Sequence, residues 1–152
     1  MAILGGIFIF LILHSASARE SLVIRVAATP NLSHCDLELT VLNNTGKPLV
    51  LDFRNSQRFD FYIRDMNRKI IWQWAYERVF ADELGKETLQ PGGHLRFKAK
   101  WPYLRYDGSR VKGGKYWVIG ALSAQPKNRY AKLLAIEVPG RPGDNAALRL
   151  NR

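Results

Sequence analysis

A chain of 152 residues with a single cysteine can form no internal disulfide, so its fold is held by packing within one core. Lys and Arg number 23 against 13 Asp and Glu, a formal charge of +10 that favours acidic partners. No CxxC, HExxH, GxSxG or phosphate-cradling glycine loop occurs, so the common metal, redox, hydrolase and nucleotide motifs are missing.

Residues 1–18 contain no charged side chain, and residues 3–13 are almost unbroken apolar. A run of about 11 residues is too short to cross a bilayer as a helix, which takes about 20. Ala16-Ser17-Ala18 supplies small residues before Arg19. The segment therefore reads as a secretory signal cleaved near Ala18, delivering the protein to the periplasm, envelope or medium. The absence of Lys and Arg before the apolar run leaves a retained N-terminal anchor as the alternative. Residues 19–138 are expected to form one domain, and residues 139–152 a loose tail.

Short alternating segments follow. Leu22, Ile24 and Val26 share one face, and Cys35, Leu37, Leu39 and Val41 share another. Cys35 on that face reads as a buried thiol behaving as a small hydrophobe. "NNTGKP" is a turn, and Leu49, Leu51 and Phe53 form the next apolar face. In "FDFYIR" the alternation sends Phe59, Phe61 and Ile63 inward and Arg58, Asp60, Tyr62 and Arg64 outward. "DMNRK" turns the chain, and Ile70, Trp72 and Trp74 return on the buried side, each fully buried large side chain contributing about 2–3 kcal/mol. "YERVFADELGKE" predicts a helix of about two turns stopped by Gly85. Leu95, Phe97, Ala99 and Trp101 point inward from a strand whose other face carries His94, Arg96, Lys98 and Lys100. Residues 102–114 form a loop, then come a strand with Tyr116, Val118 and Leu122 and a last strand over residues 131–138. Such spacing predicts an all-β fold, an antiparallel immunoglobulin-like β-sandwich with at most one short helix, a closed barrel being the alternative.

Converging catalytic groups are scarce, and an enzyme is not expected. "SHCD" places Ser33, His34, Cys35 and Asp36 side by side, yet alternation along a strand sends neighbours to opposite faces and keeps them from one substrate. No cofactor or metal is expected. The charge excess is local: residues 96–132 hold ten Lys and Arg against one acid, Asp107. Arg96, Lys98 and Lys100 form a row with a spacing of about 7 Å, a candidate contact for an anionic envelope surface or acidic protein. Basic residues mixed with aromatics suit single-stranded nucleic acid as well, a partner an exported protein seldom meets.

Several elements in order resemble the BsuPI-type intracellular proteinase inhibitor domain. The family's F-x-S-x-Q-x-[YF]-D-[FL] pattern falls on Phe53, Ser56, Gln57, Phe59, Asp60 and Phe61, and a V/I-W-x-[WS] element falls on Ile71, Trp72 and Trp74, followed by Phe80. L-x-P-G matches Leu89, Pro91 and Gly92 ahead of a strand ending in Trp101, and G-x-Y-x-V matches Gly114, Tyr116 and Val118. The resemblance implies an immunoglobulin-like sandwich and a protein-binding role as an inhibitor, with a serine (subtilisin-like) protease as the expected target. It supplies no reactive-site residue. Although the family is named as intracellular, the leader directs this chain outward, so a cytosolic protease is not the expected target. The loops expected to reach a partner are residues 65–69, 76–80 and 102–114. The last carries Tyr103, Leu104, Arg105 and Tyr106, the aromatic and arginine types that dominate interface energetics.

Overall fold

The computed structural model describes residues 22–125 and 128–141. The expected leader lies outside them, as does all but the start of the expected tail. Ten strands follow in chain order: β1 (Leu22–Pro30), β2 (Cys35–Asn43), β3 (Leu49–Phe53), β4 (Phe59–Arg64), β5 (Ile70–Gln73), β6 (Gly85–Leu89), β7 (His94–Trp101), β8 (Gly114–Leu122), β9 (Arg129–Tyr130) and β10 (Leu134–Val138). All pairings are antiparallel.

One sheet has the order β1-β2-β7 and the facing sheet the order β10-β8-β4-β5, with β9 also pairing β8. Strands β3 and β6 form a separate two-stranded piece. This is the immunoglobulin-like arrangement expected from the sequence, and the sheets do not close into a barrel. A local mark of that architecture is present at β8, where the Tyr116 hydroxyl donates to the Lys112 carbonyl at 2.9 Å, fixing the entry to the strand.

The core sits where the two apolar faces meet. Leu37, Leu39 and Val41 of β2 face Phe61 and Ile63 of β4 and Val118 and Leu122 of β8, all fully buried. The sheets approach so closely at Gly120 that an added Cβ would lie 2.6 Å from Leu39 Cδ1. An aromatic column crosses the sandwich near one end: Phe97 of β7 stacks on Phe59 of β4 at 4.9 Å, and Phe59 stacks on Trp74 at 4.3 Å.

Three expectations about faces need correction. The predicted helix is absent: residues 74–77 make turns, residues 78–84 carry no regular structure, and β6 begins at Gly85. Val79 and Leu84 are almost fully exposed and give the stretch no buried apolar face, while pairing β6 with β3 satisfies the backbone of Gly85–Leu89. Asp60 is buried, not exposed. Its Oδ1 accepts from the Phe61 and Ala75 amides at 2.8 and 3.0 Å, and its Oδ2 from Gln73 Nε2 at 2.6 Å. Finally, a register shift between Ile63 and Arg64 lets Ile71 become buried while Ile70 stays half-buried.

Cys35 is completely buried, and burial first, then the neighbouring Asp36 charge, push its thiol up from 9.0 to about 11. Because the folded value is the higher one, the stability it contributes is present below pH 9 and is lost as the pH rises toward 11. At pH 8 a thiol reagent is expected to label Cys35 only through unfolding, on the order of 100-fold or more slower than in urea. Labelling at equal rates with and without urea would contradict the burial.

The rim of the sandwich as candidate functional site

Loop residues 102–114 form a braced hairpin. Leu104 and Arg110 pair as an isolated bridge, the Val111 amide donates to the Tyr103 carbonyl at 2.8 Å, and the Arg105 amide to the Ser109 carbonyl at 2.8 Å. Trp101 Nε1 donates to the Leu104 carbonyl at 2.9 Å. At the apex, hydrogen bonds from the Ser109 amide and hydroxyl hold the exposed Asp107 carboxyl below its ordinary range.

Of the four residues expected to reach a partner from this hairpin, Tyr103 is not on the surface. It is fully buried with a left-handed backbone (φ 61°), edge-on to Trp101 at 5.1 Å, and its hydroxyl donates to the Asn31 carbonyl at 2.7 Å. Burial raises its phenol above the ordinary value. Leu104 and Arg105 are half-buried, and Tyr106 is exposed. The Tyr106 amide donates to the Ile71 carbonyl at 3.1 Å and its ring meets Tyr76 edge-on at 4.5 Å. The hairpin thus spans from β7 to the free edge of β5 and closes that side of the sandwich, a way of covering an edge strand.

The basic row on β7 also has a structural partner. Register places Lys100 opposite Asp36 and Lys98 opposite Glu38 on the central strand β2, with ion pairs at 3.8 and 3.5 Å. Arg96 lies opposite Thr40, which faces Arg25 on its other side. The outer face of this sheet is therefore a ladder of mixed sign rather than a uniform positive field.

Ser33, His34 and Asp36 do come together, contrary to the expectation from strand alternation. Ser33 Oγ lies 3.0 Å from His34 Nδ1, and His34 Nε2 lies 3.3 Å from Asp36 Oδ1. Strand β2 starts only at Cys35, so Ser33 and His34 belong to a turn closed by the Asn31 amide on the His34 carbonyl at 2.8 Å. Asp36 also accepts from Asn31 Nδ2 at 2.8 Å. The trio clasps this turn: Ser33 is exposed, and the neighbouring cleft is lined by Thr29, Asp36, Lys98 and Lys100, not by Ser33 or His34. Among the described residues, no group of three or more His, Cys, Asp or Glu is placed to hold a metal ion.

The hairpin tip at residues 65–69 is fixed by Asp65 Oδ1, which accepts from the Asn67 and Lys69 amides, and it exposes Met66. Residues 76–84 form the third irregular stretch of the rim. Here Arg78 Nε donates to the Trp74 carbonyl at 2.7 Å while its guanidinium lies 4.4 Å over the Trp74 ring. Phe80 packs on the same ring at 6.0 Å. Ala81 is held twice, its amide donating to Ser56 Oγ at 2.8 Å and its carbonyl accepting from the Ser56 amide at 2.9 Å.

The pattern of the BsuPI family, described as intracellular proteinase inhibitor, matches residues 22–127. The chain belongs to the BsuPI family. That places it in a family of proteinase inhibitors, consistent with a binding role rather than a catalytic one. In this BsuPI domain, five of the residues that carry the family pattern gather around one part of the rim. Ser56, Phe59, Asp60, Trp74 and Phe80 all contact or brace the chain between Trp74 and Ala81. The sequence pattern marked these residues, but nothing in it disclosed that Arg78 closes over Trp74.

Among solved structures, the sporulation control protein Spo0M from Bacillus subtilis is similar at 16% identity and a TM-score of 0.55, covering 86% of this chain and 54% of Spo0M. Dimeric latent PorU from Porphyromonas gingivalis is similar at 13% identity and a TM-score of 0.49, covering 82% of this chain and 10% of PorU. The BsuPI domain thus spans about a tenth of PorU and about half of Spo0M. The likeness to Spo0M shows the shared fold alone. No curated protein matches the chain.

Proposed function

We propose that this protein is an exported, non-enzymatic β-sandwich that inhibits a serine protease of the subtilisin-like class by occupying its cleft. Family membership supports proteinase inhibition, and the uncharged apolar leader ending at Ala16-Ser17-Ala18 supports export. The observation that carries the cleft-filling mode is the state of the rim: its irregular segments are tied to the core by main-chain and side-chain hydrogen bonds. A segment already held in its bound shape loses little freedom on association, so its contacts appear as affinity instead of being spent on ordering. Such a segment also resists the local opening that proteolysis requires.

The test is titration of the purified protein against subtilisin-like, elastase-like, chymotrypsin-like and trypsin-like proteases. Stoichiometric loss of activity of a subtilisin-like enzyme, insensitive to salt between low and physiological ionic strength, is the expected result. Digestion of the protein as an ordinary substrate by every enzyme would overturn the reading. Binding to anionic vesicles that weakens steeply with salt, with no inhibition, would instead favour a surface-charge role.

A further inference from the structure

Val79 is 97% exposed, the most exposed of the large hydrophobic side chains in the described residues. It is not part of a loose loop. Both neighbours rest on one indole: Arg78 lies over Trp74 and Phe80 packs against it. One residue further on, Ala81 is locked to Ser56 through both its amide and its carbonyl. Trp74 in turn stacks on Phe59, which stacks on Phe97 of the opposite sheet. Glu77 enters the segment with a left-handed backbone (φ 63°), a conformation that persists only where the surroundings impose it. Tight turns close the backbone on either side of the next residues, the Arg78 amide donating to the Ala75 carbonyl at 3.1 Å and the Glu83 amide to the Ala81 carbonyl at 2.9 Å.

An aliphatic, β-branched side chain is thereby held in water on an anchored stretch of backbone between two tight turns. Such a display suits a protease cleft, which takes up an anchored main-chain segment with one side chain entering a specificity pocket. The hairpin of residues 102–114 fits less well. Its apex is a tight turn around Asp107 and Gly108, and Tyr106 is engaged with Ile71 and Tyr76 in closing the side of the sandwich.

We propose that residues 77–84 are the segment that enters the protease, with Val79 occupying a specificity pocket that accepts small aliphatic side chains. This rests on the inhibitory reading above and narrows it to a contact and a class of target. Trp74 and Ser56 are positioning residues, which hold the segment without touching the enzyme.

The experiment measures inhibition constants of the full chain and its variants against an elastase-like, a subtilisin-like and a trypsin-like enzyme. Wild type is expected to inhibit the subtilisin-like enzyme, and the elastase-like enzyme as well, because both pockets admit valine, and to leave the trypsin-like enzyme active. Val79→Asp is expected to weaken that inhibition by about 30-fold or more, the effect of a central hot spot. Val79→Lys is expected to transfer inhibition toward the trypsin-like enzyme, whose pocket takes a cation. At so exposed a position both variants should retain the wild-type melting temperature, which separates recognition from folding. Trp74→Phe keeps an aromatic platform and is expected to weaken inhibition less than Val79→Asp does. If wild type inhibits but Val79→Asp inhibits equally well, or Val79→Lys gains nothing on the trypsin-like enzyme, this assignment is overturned while the inhibitory reading stands. If wild type inhibits none of the three, both are overturned.

Discussion

Replacing Asp60 by alanine is expected to destabilise the protein by about 3–4 kcal/mol, a large part of the 5–15 kcal/mol that holds a typical domain together. The carboxyl is buried and serves three donors, the Phe61 and Ala75 amides and Gln73 Nε2. Alanine removes every acceptor at once, and the Phe61 amide, inside β4, has no route to water. Asp60→Asn makes a discriminating partner. Its Oδ1 can still serve the two amides, and rotation of the Gln73 amide presents an oxygen to the new Nδ2, so a loss of about 1–2 kcal/mol is expected. Urea denaturation with linear extrapolation reads both. A loss below about 1 kcal/mol for the alanine variant would show that the three donors find other partners. The same carboxylate lies beside Tyr62, whose hydroxyl is pushed above the ordinary phenol range by burial first and then by Asp60.

Trp101→Ala is expected to cost about 3–5 kcal/mol, the range for emptying a buried tryptophan site. The indole is completely buried among Trp72, Tyr103 and Tyr116, at ring separations of 6.5, 5.1 and 5.6 Å. Its Nε1 also holds the Leu104 carbonyl, so the loss reaches the hairpin that closes the β5 side. Hydrogen exchange provides the second reading: the Arg105 and Val111 amides, both bonded within the hairpin, should lose protection together. Trp101→Phe keeps a ring but not the donor. It should therefore raise exchange at those amides with a smaller drop in global stability. Unchanged exchange in both variants would mean that the hairpin does not depend on the indole.

Much of the sandwich was legible in the order of side chains because strand faces repeat every second residue. Leu37, Leu39 and Val41, or Phe61 and Ile63, could be assigned inward from spacing alone, and the structure buries them. Tyr116 stood out in the G-x-Y-x-V element and proves to anchor β8 through its hydroxyl. Several of the misreadings share a cause, which is dependence on partners distant in the chain. Asp60 is drawn inward by donors 13 and 15 residues later. Lys98 and Lys100 counted as excess charge until the register with β2 set Glu38 and Asp36 across from them. Residues 76–87 have acceptable helix composition, yet Ser56 claims the backbone of Ala81 and the pairing of β6 with β3 claims that from Gly85 onward. Tyr103 could not be recognised as a buried, left-handed residue, because no neighbour-by-neighbour rule places a tyrosine at positive φ.

Within the rim, the large hydrophobic residue most open to solvent and the residues that give the chain its course are different ones. Val79 touches water, while Ser56, Trp74, Arg78 and Ala81 set the path of the backbone on either side of it. Natural drift at position 79 is therefore nearly free of any penalty in folding, whereas drift at Ser56 and Trp74, whose side chains hold the segment, is not. A lineage carrying this domain could swap the side chain it displays while keeping the frame untouched, and so follow a changing adversary one codon at a time.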